Sequence, residues 1–206
     1  MMQMPYCFLF LALLWVSPLW SQDSMRVSDP LMDLHQGVLV LRIKTASKSL
    51  QAYRDAGLDK VAKKVASEIA YRNAQLIKGF LNDYRFSDFL AIHFDSTDAL
   101  LAGRPVSLND QLQLDTGTLP VGKNIFYAEI APVKVSVPVS GHRPKMGDSL
   151  QYSDVASRGL VLYDAEFRQL SPPMPYYLNL PLKDKFYEKL GGKINQLLWK
   201  KLNQQP

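Results

Sequence analysis

The stretch Gly37–Ile43, GVLVLRI, decides how the rest of the chain is read. It is apolar, rich in branched side chains and shows no in–out alternation. A run of that kind suits a strand covered on both faces, as in a parallel sheet, better than a strand with one wet side. The next residues, TASKSLQAYRDAG (45–57), turn helical and end on a glycine suited to a helix C-terminus. A longer helix over 58–84 is expected from angular spacing. At about 100° per residue, Leu58, Ala62, Val65, Ala66, Ile69, Leu76, Phe80 and Tyr84 share one sector. Lys60, Lys64, Ser67, Glu68, Gln75, Lys78 and Asn82 share the opposite one. That pattern describes an amphipathic helix lying on a core. Tyr71 falls on its polar side, and Asn73 falls in the apolar sector, where it needs a hydrogen-bond partner. Asn73 is therefore a candidate ligand contact as well as a candidate packing residue.

DFLAIHF (88–94) and NIFYAEIA (124–131) read as further strands, with DSTDALLAG (95–103) as a short helix or turn between them. VKVSVPV (133–139) is expected to be a separate edge strand, because Pro138 has no N–H for an inner ladder. The polar connection over 140–157 is long enough to suggest either a mobile loop or a functional one. GLVLYDAEFRQL (159–170) predicts a strand, a turn at Asp164–Glu166 and a second strand. SPPMPYYLNLP (171–181) follows as a stiff extended connector. Its Tyr176 and Tyr177 either cover a sheet edge or form an aromatic binding lip.

The last segment, 182–204, places Phe186, Leu190, Ile194, Leu197, Leu198 and Leu202 at helical spacing among six lysines. Gly191 and Gly192 weaken it by about 1 kcal/mol each relative to alanine. The segment packs on the sheet, or it docks on a membrane surface or a partner. Lys193, Lys200 and Lys201 are the corresponding contact candidates. Together these readings give a single α/β or α+β domain over 37–206. It has one mixed sheet of four to six strands, a long amphipathic helix after strand one and a basic C-terminal helix.

Residues 1–21 read as a signal peptide and 22–36 as a lead-in without sustained periodicity. The uncharged run Phe8–Trp20 is too short to span a bilayer core of about 30 Å and suits a signal-peptide core. Export is expected, to the periplasm or outside the cell, with peripheral membrane association through the basic helices. The one cysteine, Cys7, lies inside that leader. A processed chain without cysteine excludes a disulfide framework, a cysteine zinc site, a C-x-x-C redox centre and a cysteine nucleophile.

The net charge is +5, and residues 44–85 hold nine Lys/Arg against four Asp/Glu. Outside the cytoplasm this favours an anionic membrane surface or an acidic envelope protein as partner over nucleic acid.

Most chemical motifs fail. GTLPVGKN (117–124) lacks the Ser or Thr of a phosphate-binding loop, and a strand rather than a helix follows it. His35, His93 and His142 form no H-E-x-x-H, and no G-x-S-x-G is present. No metal and no cofactor are expected. His93, at a strand end beside Asp95, Ser96 and Asp98, and Glu129, the one acid in an apolar strand, remain as candidate catalytic residues. They form a pair if their strands neighbour.

The order strand, long helix, strand, late hairpin and terminal helix resembles that of thioredoxin-like domains, without their C-x-x-C. GLVLYDAEFRQLSPPMPYY, with VAKKVASEIAYRNAQLIKGFL upstream, resembles exported bacterial proteins that carry no assigned activity. Neither resemblance implies catalytic residues. The expected function is that of an exported, non-catalytic binding or accessory protein of the bacterial cell envelope. The alternative is a small-molecule-binding protein or hydrolase with a pocket near His93 and Glu129.

Overall fold

The computed structural model describes residues 29–115, 117–120, 122–138, 152–170, 178–180 and 183–204. The signal-peptide reading, Tyr176, Tyr177 and the prolines at 172, 173 and 175 lie outside them. The chain forms a mixed α/β fold. Its strands are β1 (Val38–Ile43), β2 (Asp88–His93), β3 (Ile125–Pro138), β4 (Tyr152–Tyr163) and β5 (Leu178–Asn179), in the order β2-β1-β3-β4-β5. β1 runs parallel to both neighbours, while β3, β4 and β5 pair antiparallel.

The helices are α1 (Pro30–Gln36), α2 (Ser47–Asp55), α3 (Asp59–Asp83), α4 (Thr97–Leu101) and α5 (Leu190–Leu202). Short 3-10 turns at Phe94–Ser96 and Asp184–Lys189 precede α4 and α5.

The two parallel crossovers explain where the helices sit. The β1–β2 connection moves toward one edge of the sheet and the β2–β3 connection moves back past β1. Parallel crossovers are nearly always right-handed, so opposite directions place the crossovers on opposite faces. Accordingly α3 packs with Leu39 and Leu41, while α4 contributes Leu100 to a second cluster with Val38, Val40 and Ile92. β1, buried along its whole length, is the layer between them, as its unbroken apolar run requires.

Several expectations change, and residues 152–157 of the expected polar connection belong to β4. The lead-in supplies α1, whose Leu31 and Leu34 are fully buried in the main core. The signal was Asp29-Pro30: the Asp29 carboxylate accepts from the Leu31 N–H at 3.0 Å, and proline suits the first helical position. Residues 133–138 are no separate edge strand but the continuation of β3, paired with β4 out to Pro138 and Tyr152. Pro138 is tolerated because it ends the ladder. The true edges are β5 on one side and β2 on the other, where the Leu108 N–H bonds the Ala91 carbonyl and covers the open strand.

The terminal helix is a core element. Leu190, Ile194 and Leu198 are 0–1 % exposed. They pack with Leu76, Ile77 and Phe80 of α3, so this apolar stripe is not available for docking. The glycines that weaken the helix explain the packing. A Cβ on Gly191 would lie 2.3 Å from the Gly79 carbonyl oxygen, and one on Gly79 would lie 1.9 Å from that of Glu188. The two segments cross where neither carries a side chain.

Candidate functional site

β1 ends at Ile43, whereas β3 and β4 continue past it as a two-stranded ribbon. α3 begins well before the point where it reaches the core, and of its residues Ala62, Leu76, Ile77, Gly79 and Phe80 are buried. Leu58 is 47 % exposed, and Val65, Ala66 and Ile69 are half-buried. The expected apolar sector is thus present, but, Ala62 apart, only its C-terminal half is fully covered. Between the uncovered half and the ribbon lies a cleft of about 220 Å³, at the carboxyl end of β1. Open α/β sheets bind ligands in crevices outside the carboxyl ends of their strands.

The floor of the cleft is apolar, formed by Ile43, Val65, Ile69, Leu76 and Ile130. Its rim carries Lys44, Arg72, Arg158, Glu68, Asn73 and Tyr187. Asn73 Nδ2 donates to the Lys44 carbonyl at 3.2 Å, which ties α3 to the turn leaving β1. The next bend uses Ala46 at φ 53°, a left-handed conformation unusual for a residue with a Cβ, and Ala46 also lines the cleft. Arg72 Nε pairs with Asp184 at 2.9 Å and Nη2 with Glu68 at 3.8 Å. Pairing with the Asp184 carboxylate, which accepts from Arg72, raises the Arg72 pKa against the lowering effect of burial. Burial raises the Tyr187 pKa, opposed by Arg72, so the hydroxyl keeps its proton at neutral pH. Arg158 makes no ion pair among the described residues.

Beside the cleft, on the α4 face of the sheet, lies a buried charge cluster. Arg42 and Glu129 face each other across β1 and β3, each about nine-tenths buried, with Nη1 to Oε2 at 3.3 Å. Lys44 Nζ reaches the other carboxylate oxygen at 3.2 Å and the Ile130 carbonyl at 3.4 Å. On the far side, the Arg42 guanidinium lies over the rings of Phe94 at 3.9 Å and Phe167 at 4.4 Å. Delocalised charge between aromatic faces is an arrangement a guanidinium tolerates well.

Phe167 is held there by its turn. The Asp164 carboxylate accepts from the Glu166 and Arg168 backbone N–H groups and from Arg168 Nε at 2.7 Å. Phe167 adopts φ 60° and stacks on Tyr127 at 4.5 Å. At Asp164, burial pushes the pKa up but is outweighed by the bonds from Arg168, so the net direction is down. The turn expected at Asp164–Glu166 is present. In place of a second strand it is followed by a single bridge, Tyr163 to Gln169.

A second recess, about 330 Å³, opens beside Phe94 and Phe167 and is lined by Arg42, Asp95, Thr97 and Asp98. Among the described residues, no group of three or more His, Cys, Asp and Glu is placed to hold a metal ion.

The candidate catalytic pair does not form. β1 separates β2 from β3, and the registers place His93 beside Ile43 but Glu129 beside Arg42. Neighbouring β1 positions point to opposite faces, so His93 and Glu129 lie on opposite sides of the sheet. Neither lines the cleft or the second recess. His93 Nδ1 is buried without a hydrogen-bond partner among the described residues, and its face carries Phe89 and Ala91, as alternation predicts.

Asn73 is at the cleft. Lys193, Lys200 and Lys201 sit on α5 and line neither cavity. Arg42, Arg72, Arg158 and Tyr187 were not recognised from the sequence. The usable signal was Arg42, the one charge in the buried run of β1, matched by Glu129, the one charge in NIFYAEIA.

In comparisons with known proteins the chain matches no family model, no curated protein and no solved structure.

Proposed function

We propose that this chain is an exported, non-catalytic binding protein whose ligand occupies the cleft at the carboxyl end of β1. The observation that carries the reading is the cleft itself: an apolar floor, a polar cationic rim and a position at the carboxyl end of β1. The separation of His93 from Glu129, and the engagement of Glu129 by Arg42 and Lys44, support binding over catalysis. The leader-like run Phe8–Trp20 supports export. N-terminal sequencing of the protein from its native host tests that part, since an uncleaved start at Met1 would remove it.

The binding reading is tested by thermal unfolding in small-molecule extracts of the host, comparing the native sequence with Ile69→Asp. Ile69 is half-buried in the floor, so the charge blocks the cleft without entering the core. A ligand at about a hundred times its Kd stabilises by about 2.7 kcal/mol. For a domain of this size that raises Tm by roughly 5–10 °C. The rise is expected for the native sequence and not for the variant. Equal behaviour of the two would refute the reading.

A further inference from the structure

The charges around the cleft are not equally engaged, and the difference identifies a ligand class. Lys44 is committed to Glu129, and Arg72 to Asp184 and Glu68. Glu68, the acid on the rim, therefore has a cation already. Arg158 lines the same cleft, lies near enough to Tyr187 to act on its hydroxyl electrostatically, and has no ion-pair partner among the described residues. Arg158 follows the face of β4 that carries Leu160 and Leu162, so its side chain stands on the α3 side of the ribbon, above the apolar floor. A planar guanidinium and a protonated phenol lining one cleft supply donors suited to a carboxylate. The cleft is smaller than the roughly 300–1,000 Å³ of pockets that hold drug-sized molecules. At interior packing density, about 0.75, it holds roughly ten non-hydrogen atoms.

We infer that the cleft binds a small amphiphilic carboxylate, with the head group on Arg158 and Tyr187 and an unbranched apolar tail on Ile43, Ile69 and Ile130. The inference rests on the cleft being a binding site, and it adds the sign and shape of the occupant. A cation would meet an acid, Glu68, that is already paired. A neutral chain would leave Arg158 to water and gain nothing from its charge.

The test titrates the full chain with octanoate, 1-octanol and octylamine while NMR follows the methyl groups of Ile43, Ile69 and Ile130. Octanoate should shift these methyls saturably and bind more tightly than the alcohol or the amine. Arg158→Gln should weaken octanoate about tenfold to a hundredfold, the usual worth of a hydrogen bond to a charged group, while leaving octanol unchanged. Arg158 is exposed, so the variant keeps the core, and unchanged methyl signals from Leu190, Ile194 and Leu198 verify it. Saturable shifts with octanol or octylamine as the tightest ligand, or an octanoate affinity indifferent to Arg158→Gln, overturn the carboxylate assignment and leave the cleft a binding site. Methyls that respond to none of the three probes overturn both.

Discussion

Replacing Gly79 by alanine adds one methyl group at the crossing that holds α5 onto α3. The new Cβ would stand 1.9 Å from the Glu188 carbonyl oxygen, 2.4 Å from its carbon and 2.6 Å from its Cα. These are backbone atoms, so no rotamer change relieves the contact, and the segments must separate by more than 1 Å, on the order of a third of a normal contact distance. Separation loosens Leu76, Ile77 and Phe80 from Leu190, Ile194 and Leu198 along the main core. Overpacking of this kind costs about 1–3 kcal/mol, and a backbone-to-backbone clash belongs at the upper end. Alanine's better helix propensity returns about 1 kcal/mol, which leaves a net loss of about 2 kcal/mol.

Gly192→Ala is the control. Its Cβ would meet the Asp83 side chain at 3.4 Å, an ordinary contact, so that variant should be neutral or slightly more stable. Urea unfolding measures both: the midpoint of Gly79→Ala falls with an unchanged slope, and that of Gly192→Ala does not fall. Gly191→Ala should resemble Gly79→Ala, and the double variant should lose less than the sum, because both strain one crossing. A Gly79→Ala protein as stable as the native sequence would refute the reasoning. So would a Gly192→Ala protein equally damaged.

Ending the chain at Leu182 should abolish cooperative unfolding, because it removes Leu190, Ile194 and Leu198 from the core; a soluble, folded truncation by circular dichroism would contradict this. Glu129→Ala should cost about 3–5 kcal/mol by leaving Arg42 buried beside an empty partner position. The apolar double replacement Arg42→Met with Glu129→Leu should cost less than either single change, read from denaturant midpoints. Asp164 has a lowered folded pKa, so its contribution is present above the ordinary value of 3.8 and is lost as pH falls through the lower folded value. Asp164→Asn should therefore be less stable than the native sequence at neutral pH, and the gap should narrow below that window.

The sequence carried the sheet's centre because burial on both faces leaves a local signature, an apolar run without alternation. The long helix was legible for the same reason, its 3.6-residue spacing. The extent to which that helix is covered was not legible. Val65 and Ile69 carry the same apolar signal as Leu76 and Phe80, and only the early end of β1 leaves the first pair half open.

α1 escaped notice because seven residues show too little periodicity, although Asp29-Pro30 announced its start. Glu129 was singled out correctly as an unusual acid but matched to the wrong residue. Its true partner depends on strand order, which places β1 between β2 and β3 and makes Arg42 its neighbour. The cleft rim joins residues from β1, α3, β4 and the turn before α5, a meeting that no local pattern records.

Native mass spectrometry of the intact chain recovered from its host tests the binding reading most directly. The native sequence should carry a bound small molecule that Ile69→Asp lacks, with circular dichroism unchanged between them. The same bound mass on both proteins, or none on either, would contradict the assignment of the β1 cleft as the binding site.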